Sequence, residues 1–234
     1  MFDWDQPPPI IEEATKDFDT PRGVVRVQMH ASAELIASLT PDPGLHVFHP
    51  PAVMHRVLID IARSIDGAVV IAYHVESRTL VGFIAFHPPD VRVRWGQKRI
   101  PHIIELEAIE VSSNWRRMGI SEHMFEVAFS THYFDDKVVI STEYAWHWDL
   151  SEAGLTKEQY ANMLRELFMQ NGFQEFETDE PNIQADPANL FMVRIGNKVS
   201  PETIQQFTAL LKTNRQVGYK VTVQGPFKRF TPSI

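Results

Sequence analysis

The sequence predicts an α/β fold with a mixed central sheet and flanking helices, and three observations predict it. Short β-branched runs alternate with segments whose apolar residues recur every three or four positions. Over residues 103–142 a strand, a turn, an amphipathic helix and a second strand follow without a break, the pattern of a parallel crossover, right-handed by the general rule. An apolar share of 44% with 22% charged residues in a chain of 234 supplies one sizeable core. Residues 1–22 read as a flexible N-terminal segment, 23–212 as one domain and 213–234 as a C-terminal tail.

The elements follow in order. Residues 24–29 are a first strand, rich in valine. Ser32 caps a short helix that runs to about Ser38 and is ended by Pro41, Pro43 and Gly44. Pro50 and Pro51 open a second helix with Val53, Val57, Leu58 and Ile61 at helical spacing, closed by Gly67. Residues 68–75 and 80–86 form a hairpin around Glu76, Ser77 and Arg78, and a Pro- and Arg-rich crossing leads to a long strand, Ile103–Val111. The next helix turns Ile120, Met124, Val127 and Ala128 to one face, and residues 138–142 are the strand after it. A helix over 156–171 ends at Gly172, residues 173–176 begin a strand, and Leu190–Ile195 is the last strand of the body. Ser200 caps a final helix with Ile204, Phe207, Leu210 and Leu211 inward; the tail beyond holds a strand-like stretch at 219–223.

Composition excludes several functions. With no cysteine there is no disulfide, thiolate metal site or cysteine nucleophile. A net charge of −8 argues against nucleic-acid binding, which needs clustered cations, but not against a basic partner. No apolar run is long enough to span a bilayer, and the start lacks a basic leader, so no membrane association and a cytoplasmic location are expected.

The turn from Arg116 to Ser121 carries the first chemical signal. A turn that opens a helix aims several unpaired backbone N–H groups at one point, where the helix dipole also favours an anion. Gly119 lets a diphosphate approach the backbone, Arg116 and Arg117 add positive charge, and the strand end at Ile109 and Val111 offers backbone groups to amides of a bound chain. An ordinary strand-to-helix turn with surface arginines has the same residues. Just upstream, Glu105, Glu107 and Glu110 share one strand, and three carboxylates in a core strand are costly unless some reach a wet cleft. One of them placed beside an amine can take its proton; Glu107 reads as solvent-exposed.

The stretch Arg116-Arg117-Met118-Gly119-Ile120-Ser121 resembles the cofactor motif of the GNAT superfamily of N-acetyltransferases, with Ser121 in place of the usual final Gly or Ala. The element order is similar to the GNAT fold, in which two strands splay to admit a pantetheine arm. The resemblance implies acetyl-CoA as co-substrate, bound by Ile109, Val111, Arg116, Arg117, Met118, Gly119, Ile120 and Ser121. It implies a glutamate base, Glu105 first by its offset from the turn and Glu110 second. Many GNAT enzymes protonate the departing thiolate with a tyrosine four residues before a Gly-Phe pair; here Gly172-Phe173 matches but Phe168 stands at the tyrosine position. Another group, such as Tyr144, takes that role, or the thiolate leaves without a dedicated acid.

From Val139 onwards the likeness narrows. Thr142-Glu143-Tyr144-Ala145-Trp146-His147-Trp148-Asp149-Leu150, Thr178-Asp179-Glu180-Pro181, Asp186-Pro187-Ala188-Asn189 and Arg194-Ile195-Gly196 resemble the acetoin-utilisation acetyltransferase (AcuA-like) family, as does Phe48-His49-Pro50-Pro51 upstream. This resemblance implies a protein-lysine acetyltransferase that acts on acetyl-CoA synthetase. Nothing in the residues alone separates a small-molecule amine from a protein lysine as acceptor, and Phe168 in place of tyrosine keeps a non-catalytic acyl-CoA-responsive protein that docks on its partner as an alternative. Tyr144, Trp146 and Trp148 are expected to form an acceptor wall or else a core plug. His147 and Asp149 lack the further ligands a zinc site wants, and no metal is expected. Asn189 reads as a turn residue.

Overall fold

A computed structural model describes residues 14–212. Nine strands form one sheet: β1 (Thr15–Thr20), β2 (Gly23–Gln28), β3 (Thr40–Pro41), β4 (Ala68–His74), β5 (Thr79–His87), β6 (Ile103–Val111), β7 (Val138–Glu143), β8 (Gln174–Glu175) and β9 (Leu190–Ile195). Their order is β1-β2-β4-β5-β6-β7-β9-β8, with the short β3 beside β5. β6–β7 and β3–β5 are parallel and the rest antiparallel, so the sheet is mixed, as expected. The helices are α1 (Ala33–Ala37), α2 (Pro51–Arg63), α3 (Ile120–Phe129), α4 (Leu150–Ala153), α5 (Lys157–Gln170), α6 (Pro181–Gln184) and α7 (Pro201–Leu211).

Alternation along the strands builds a layer on each face. In β4, Ala68, Val70 and Ala72 join the core under α3 and α5, while Val69, Ile71 and Tyr73 join the one under α1 and α2. The caps read from sequence, Ser32 and Ser200, accept from the first-turn amides, and Thr156, read only as a helix start, is also a cap and forms a capping box with Gln159. In α2 the inward residue is Met54, with Val57, Leu58 and Ile61, rather than Val53. A third cluster joins β7 and β9 to α7 through Phe207, with Trp95 from the 88–101 crossing stacked on Phe191 at 4.2 Å.

The N-terminal expectation needs correcting for residues 15–20. They carry no apolar alternation, yet they form β1, because the open edge of β2 supplies backbone partners and Arg26 grips Asp17 through two hydrogen bonds of 2.6 and 2.7 Å. Pro7–Pro9 and the tail from 213, including 219–223, lie outside the described residues.

His30, just after β2, has a left-handed backbone (φ 54°) and packs edge-on to Tyr133 with centroids 4.4 Å apart. Burial first, then the Lys137 charge, push its pKa down to about 4. Between that value and the unfolded value near 6.5 the native ring stays neutral while the unfolded chain takes up a proton. Stability from this group is therefore complete above about pH 6.5 and declines as pH falls toward 4. His30→Gln is expected to lose less stability than the native chain across that window, by about 2 kcal/mol once solvent screening is allowed for. Urea melts at both ends check this; equal losses in the two proteins refute it.

Candidate active site between the parted strands

β6 and β7 pair only through Ile103–Val138, Ile104–Val139 and Glu105–Ile140. Beyond that they part, and a cleft of about 810 Å³ opens between them. From Leu106 on, β6 has no strand beside it on this side among the described residues, so that edge can take an extended ligand; the Leu106 carbonyl is taken by the Ser141 hydroxyl at 3.1 Å. Ile109, Val111, Val47 and Phe48 line the cleft, and α5 closes it with Tyr160, Met163, Leu164 and Leu167. An apolar wall beside an open strand edge suits a chain that alternates methylenes and amides.

The turn after β6 leaves helix-opening amides without backbone acceptors among the described residues, an arrangement that can receive an anion. Gly119 is left-handed (φ 73°) and opens α3, whose first amides, Ile120 to Glu122, have no backbone acceptor among the described residues. A Cβ on Gly119 meets nothing within 4 Å, so the glycine serves the backbone angle and leaves open space in front of it. Arg117 is also left-handed (φ 63°), a strained state for a non-glycine residue that is common at ligand sites. Arg117, Gly119, Ile120 and Ser121 line the cleft; Met118 instead packs against the core under α3. Arg116 lines it too, but its guanidinium is bound to Asp149 at 3.1 Å and to Glu152 at 3.6 Å. It ties α4 to the turn, which leaves the backbone amides and Arg117 to face an anion. Burial raises the Asp149 pKa, but the Glu152 amide, Arg116 and Ser151 outweigh it and hold the carboxyl below its ordinary value.

The carboxylates separate. The β5–β6 register skips Glu107, a bulge that puts Leu106 in the core under α3 and Ala108 in the opposite one. Glu105, where β6 and β7 are still paired, is buried, accepts from the Thr142 hydroxyl at 3.2 Å and does not line the cleft. Glu110 does line it and is only 3% exposed. One oxygen accepts from the Val47 amide at 3.0 Å; the other, also buried, has no hydrogen-bond partner among the described residues. Burial raises its pKa against the opposing His46 and Val47 amides and the charges of His46 and Arg116. Glu107, read from sequence as exposed, is instead a cleft residue ion-paired with His87, because the neighbouring strand covers it.

From the 144–149 segment Tyr144, His147 and Trp148 line the cleft, whereas Trp146, expected in the same wall, does not. Tyr144 and Trp146 stack at 4.5 Å and 9°, with Trp146 outermost at 42% exposure. The Trp146 indole donates to His147 Nε2 at 3.0 Å, which places a neutral ring's proton on Nδ1. Burial lowers the His147 pKa and keeps it neutral. Trp148 turns inward and stacks on Tyr160 at 5.1 Å. Asn189 accepts from the Ala145 amide at 2.8 Å and donates to the Asn182 carbonyl at 2.7 Å, so this turn residue holds the aromatic wall in place.

No family model matches the chain. It is 35% identical to the acetoin utilization protein AcuA of Bacillus subtilis, over 82% of this chain and 90% of that protein. The chain belongs to the AcuA family. A second member, from Bacillus licheniformis, is 33% identical over 86% of this chain and 94% of its own length. The crystal structure of an acetoin utilization protein from Exiguobacterium sibiricum superposes with a TM-score of 0.81 at 32% identity, covering 87% of this chain and 96% of that one.

In this AcuA-family chain Phe168 is fully buried against Phe125 and Phe173, well inside the core. Two turns earlier on α5, Tyr160 lines the cleft. Its pKa is raised by burial first and then by the nearby charges of Glu143, Asp149 and Glu110. Sequence reasoning missed Tyr160 and Glu143. Glu143 ends β7 in the cleft, with a pKa raised by burial over the opposing Ser141 hydroxyl. The signal for Tyr160 was its place on the inward stripe of α5, four residues before Leu164 and eight before Phe168.

Proposed function

We propose that this AcuA-family protein is an acetyl-CoA-dependent N-acetyltransferase of the GNAT type that modifies a protein lysine, with acetyl-CoA synthetase as the acceptor protein. The observation that carries the reading is one cleft holding both the left-handed glycine turn at Gly119 and the buried, half-bonded carboxylate of Glu110. The amides opening α3, with Arg117, take the diphosphate; the free edge at Ile109 and Val111 takes the pantetheine amides. Tyr144 receives the acceptor at the cleft, with Trp146 stacked on it outside. A cytoplasmic setting belongs to the same proposal.

A free lysine lies about three units above neutral pH, so supplying its uncharged form costs about 4 kcal/mol. One proton leaves the ammonium to solvent; Glu110 Oε2 takes the second as nitrogen attacks the thioester carbonyl, and gives it up to solvent after the transfer. The carbon–sulfur bond then breaks, and the Tyr160 hydroxyl protonates the thiolate and is reprotonated from solvent. A tyrosine with a raised pKa keeps its proton at neutral pH, as a donor must.

Incubating the protein with acetyl-CoA and purified acetyl-CoA synthetase is expected to yield acetyllysine, read by mass spectrometry. Transfer to a free amine only would replace the protein acceptor by a small one. Acetyl-CoA at 100 times its dissociation constant is expected to stabilise the protein by about 2.7 kcal/mol, and ATP not at all; no shift with acetyl-CoA would refute the cofactor reading.

A further inference from the structure

Asp42 lies just beyond β3, far in sequence from the cleft turn, yet its buried carboxylate accepts four hydrogen bonds there and nearby. Oδ1 accepts from the Ser112 hydroxyl at 2.6 Å, the Asn114 amide at 2.8 Å and the Gly44 backbone at 2.9 Å; Oδ2 accepts from the Trp115 indole at 3.1 Å. A second contact is independent of that charge. The Ser113 amide donates to the Gly44 carbonyl at 3.2 Å, and a Cβ on Gly44 would fall 2.4 Å from Ser112 Oγ and 2.7 Å from Ser113 Oγ. The 42–47 loop and the turn after β6 therefore touch backbone to backbone, with a carboxylate as the joint.

We propose that Asp42 and Gly44 form a clamp that positions the base and the cofactor turn together, with Asp42 as a positioning residue for acetyl transfer; this rests on the reading of the site given above. Three residues past Gly44, Val47 donates the amide that holds Glu110, and Phe48 lines the cleft. On the other side of the clamp, Ser112 to Trp115 lead directly into Arg116 and the Gly119 turn. An Asn at position 42 has the shape but not the charge, and sets an NH₂ against N–H and O–H donors. An Ala at position 44 leaves the charge and forces the two segments apart. Either change loosens the amides facing Glu110, whose other charged and titratable neighbours are His46 on the loop, Arg116 on the turn and Tyr160 on α5.

Asp42→Asn and Gly44→Ala in the full chain are expected to share one signature. The calorimetric Kd for acetyl-CoA rises about tenfold or more. The acidic limb of kcat/KM for acetyl-CoA synthetase moves up by about half a pH unit or more, because a carboxylate that loses an amide donor is harder to ionise. A purely structural role would lower the melting temperature and leave both quantities unchanged in the folded fraction; that result overturns the clamp. Should Asp42→Asn fail to fold, Ser112→Ala removes one donor, keeps the charge and is expected to shift both quantities in the same direction; unchanged values overturn the proposal equally. Wild-type protein that neither binds acetyl-CoA nor transfers acetyl refutes the function itself, which a null effect of the variants on an active enzyme does not.

Discussion

Glu110→Gln is expected to lower kcat for acetyl transfer by about 10²–10⁴-fold with the dissociation constant for acetyl-CoA unchanged. Gln keeps an oxygen for the Val47 amide, so the strand end stays in place, but it cannot accept the amine proton. The variant also removes a buried carboxylate whose ionisation burial opposes, so its melting temperature is expected to equal or exceed that of the native protein. Native kcat/KM falls on the acidic side, at a pH above the ordinary carboxylate range, because the base works only when ionised and burial raises its pKa. In the variant that limb disappears. Tyr160→Phe serves as the contrast: a fall in kcat with the acidic limb retained. Steady-state rates from about pH 5 to 9 decide the matter, and a Gln variant with native kcat removes Glu110 from the chemistry.

The second large effect is at Gly119. Gly119→Ala is expected to weaken acetyl-CoA binding by about tenfold to a hundredfold while costing the free protein only about 1–2 kcal/mol. The two losses differ because they have different causes. The stability cost is that of a Cβ at φ 73°, since nothing in the protein lies within 4 Å of the added atom. The binding cost arises because that open space is where a diphosphate must meet the amides of α3. Calorimetry beside a thermal melt separates them; a folded variant with native affinity would move the anion site elsewhere.

Both predictions mix what was legible in the sequence with what was not. The Gly119 turn was legible because helix-opening turns are local: a strand, a glycine and an amphipathic segment specify them within about a dozen residues. Arg116 shows the limit of such reading. Its charge was plain, but its partners Asp149, the cap of α4, and Glu152 on α4 are thirty-odd residues away, and only the packed chain brings them to it.

The choice between Glu105 and Glu110 turned on the same distinction. Side chains alternate along a strand with a period of two, so a lone strand shows which residues share a face. The bulge at Glu107 is a property of the β5–β6 pair, and the parting from β7 after Glu105 is a property of another pair. Neither is written in the residues of β6 themselves. Glu107 changed from a surface residue to a partner of His87 for this reason, and Tyr160 came into view only when Phe168, two turns along the same helix, proved to be core.

By itself, then, the sequence determined the main helices and strands of the body, the caps at Ser32 and Ser200 and the glycine turn after β6, because propensity, period and capping act between near neighbours. The tertiary structure decided which carboxylate faces the cleft, which arginine is already paired and which tyrosine lines the same cleft as Glu110. Those depend on strand register and on burial, and both are set by residues distant in the chain, such as Val47 against Glu110 and Asp42 against Trp115.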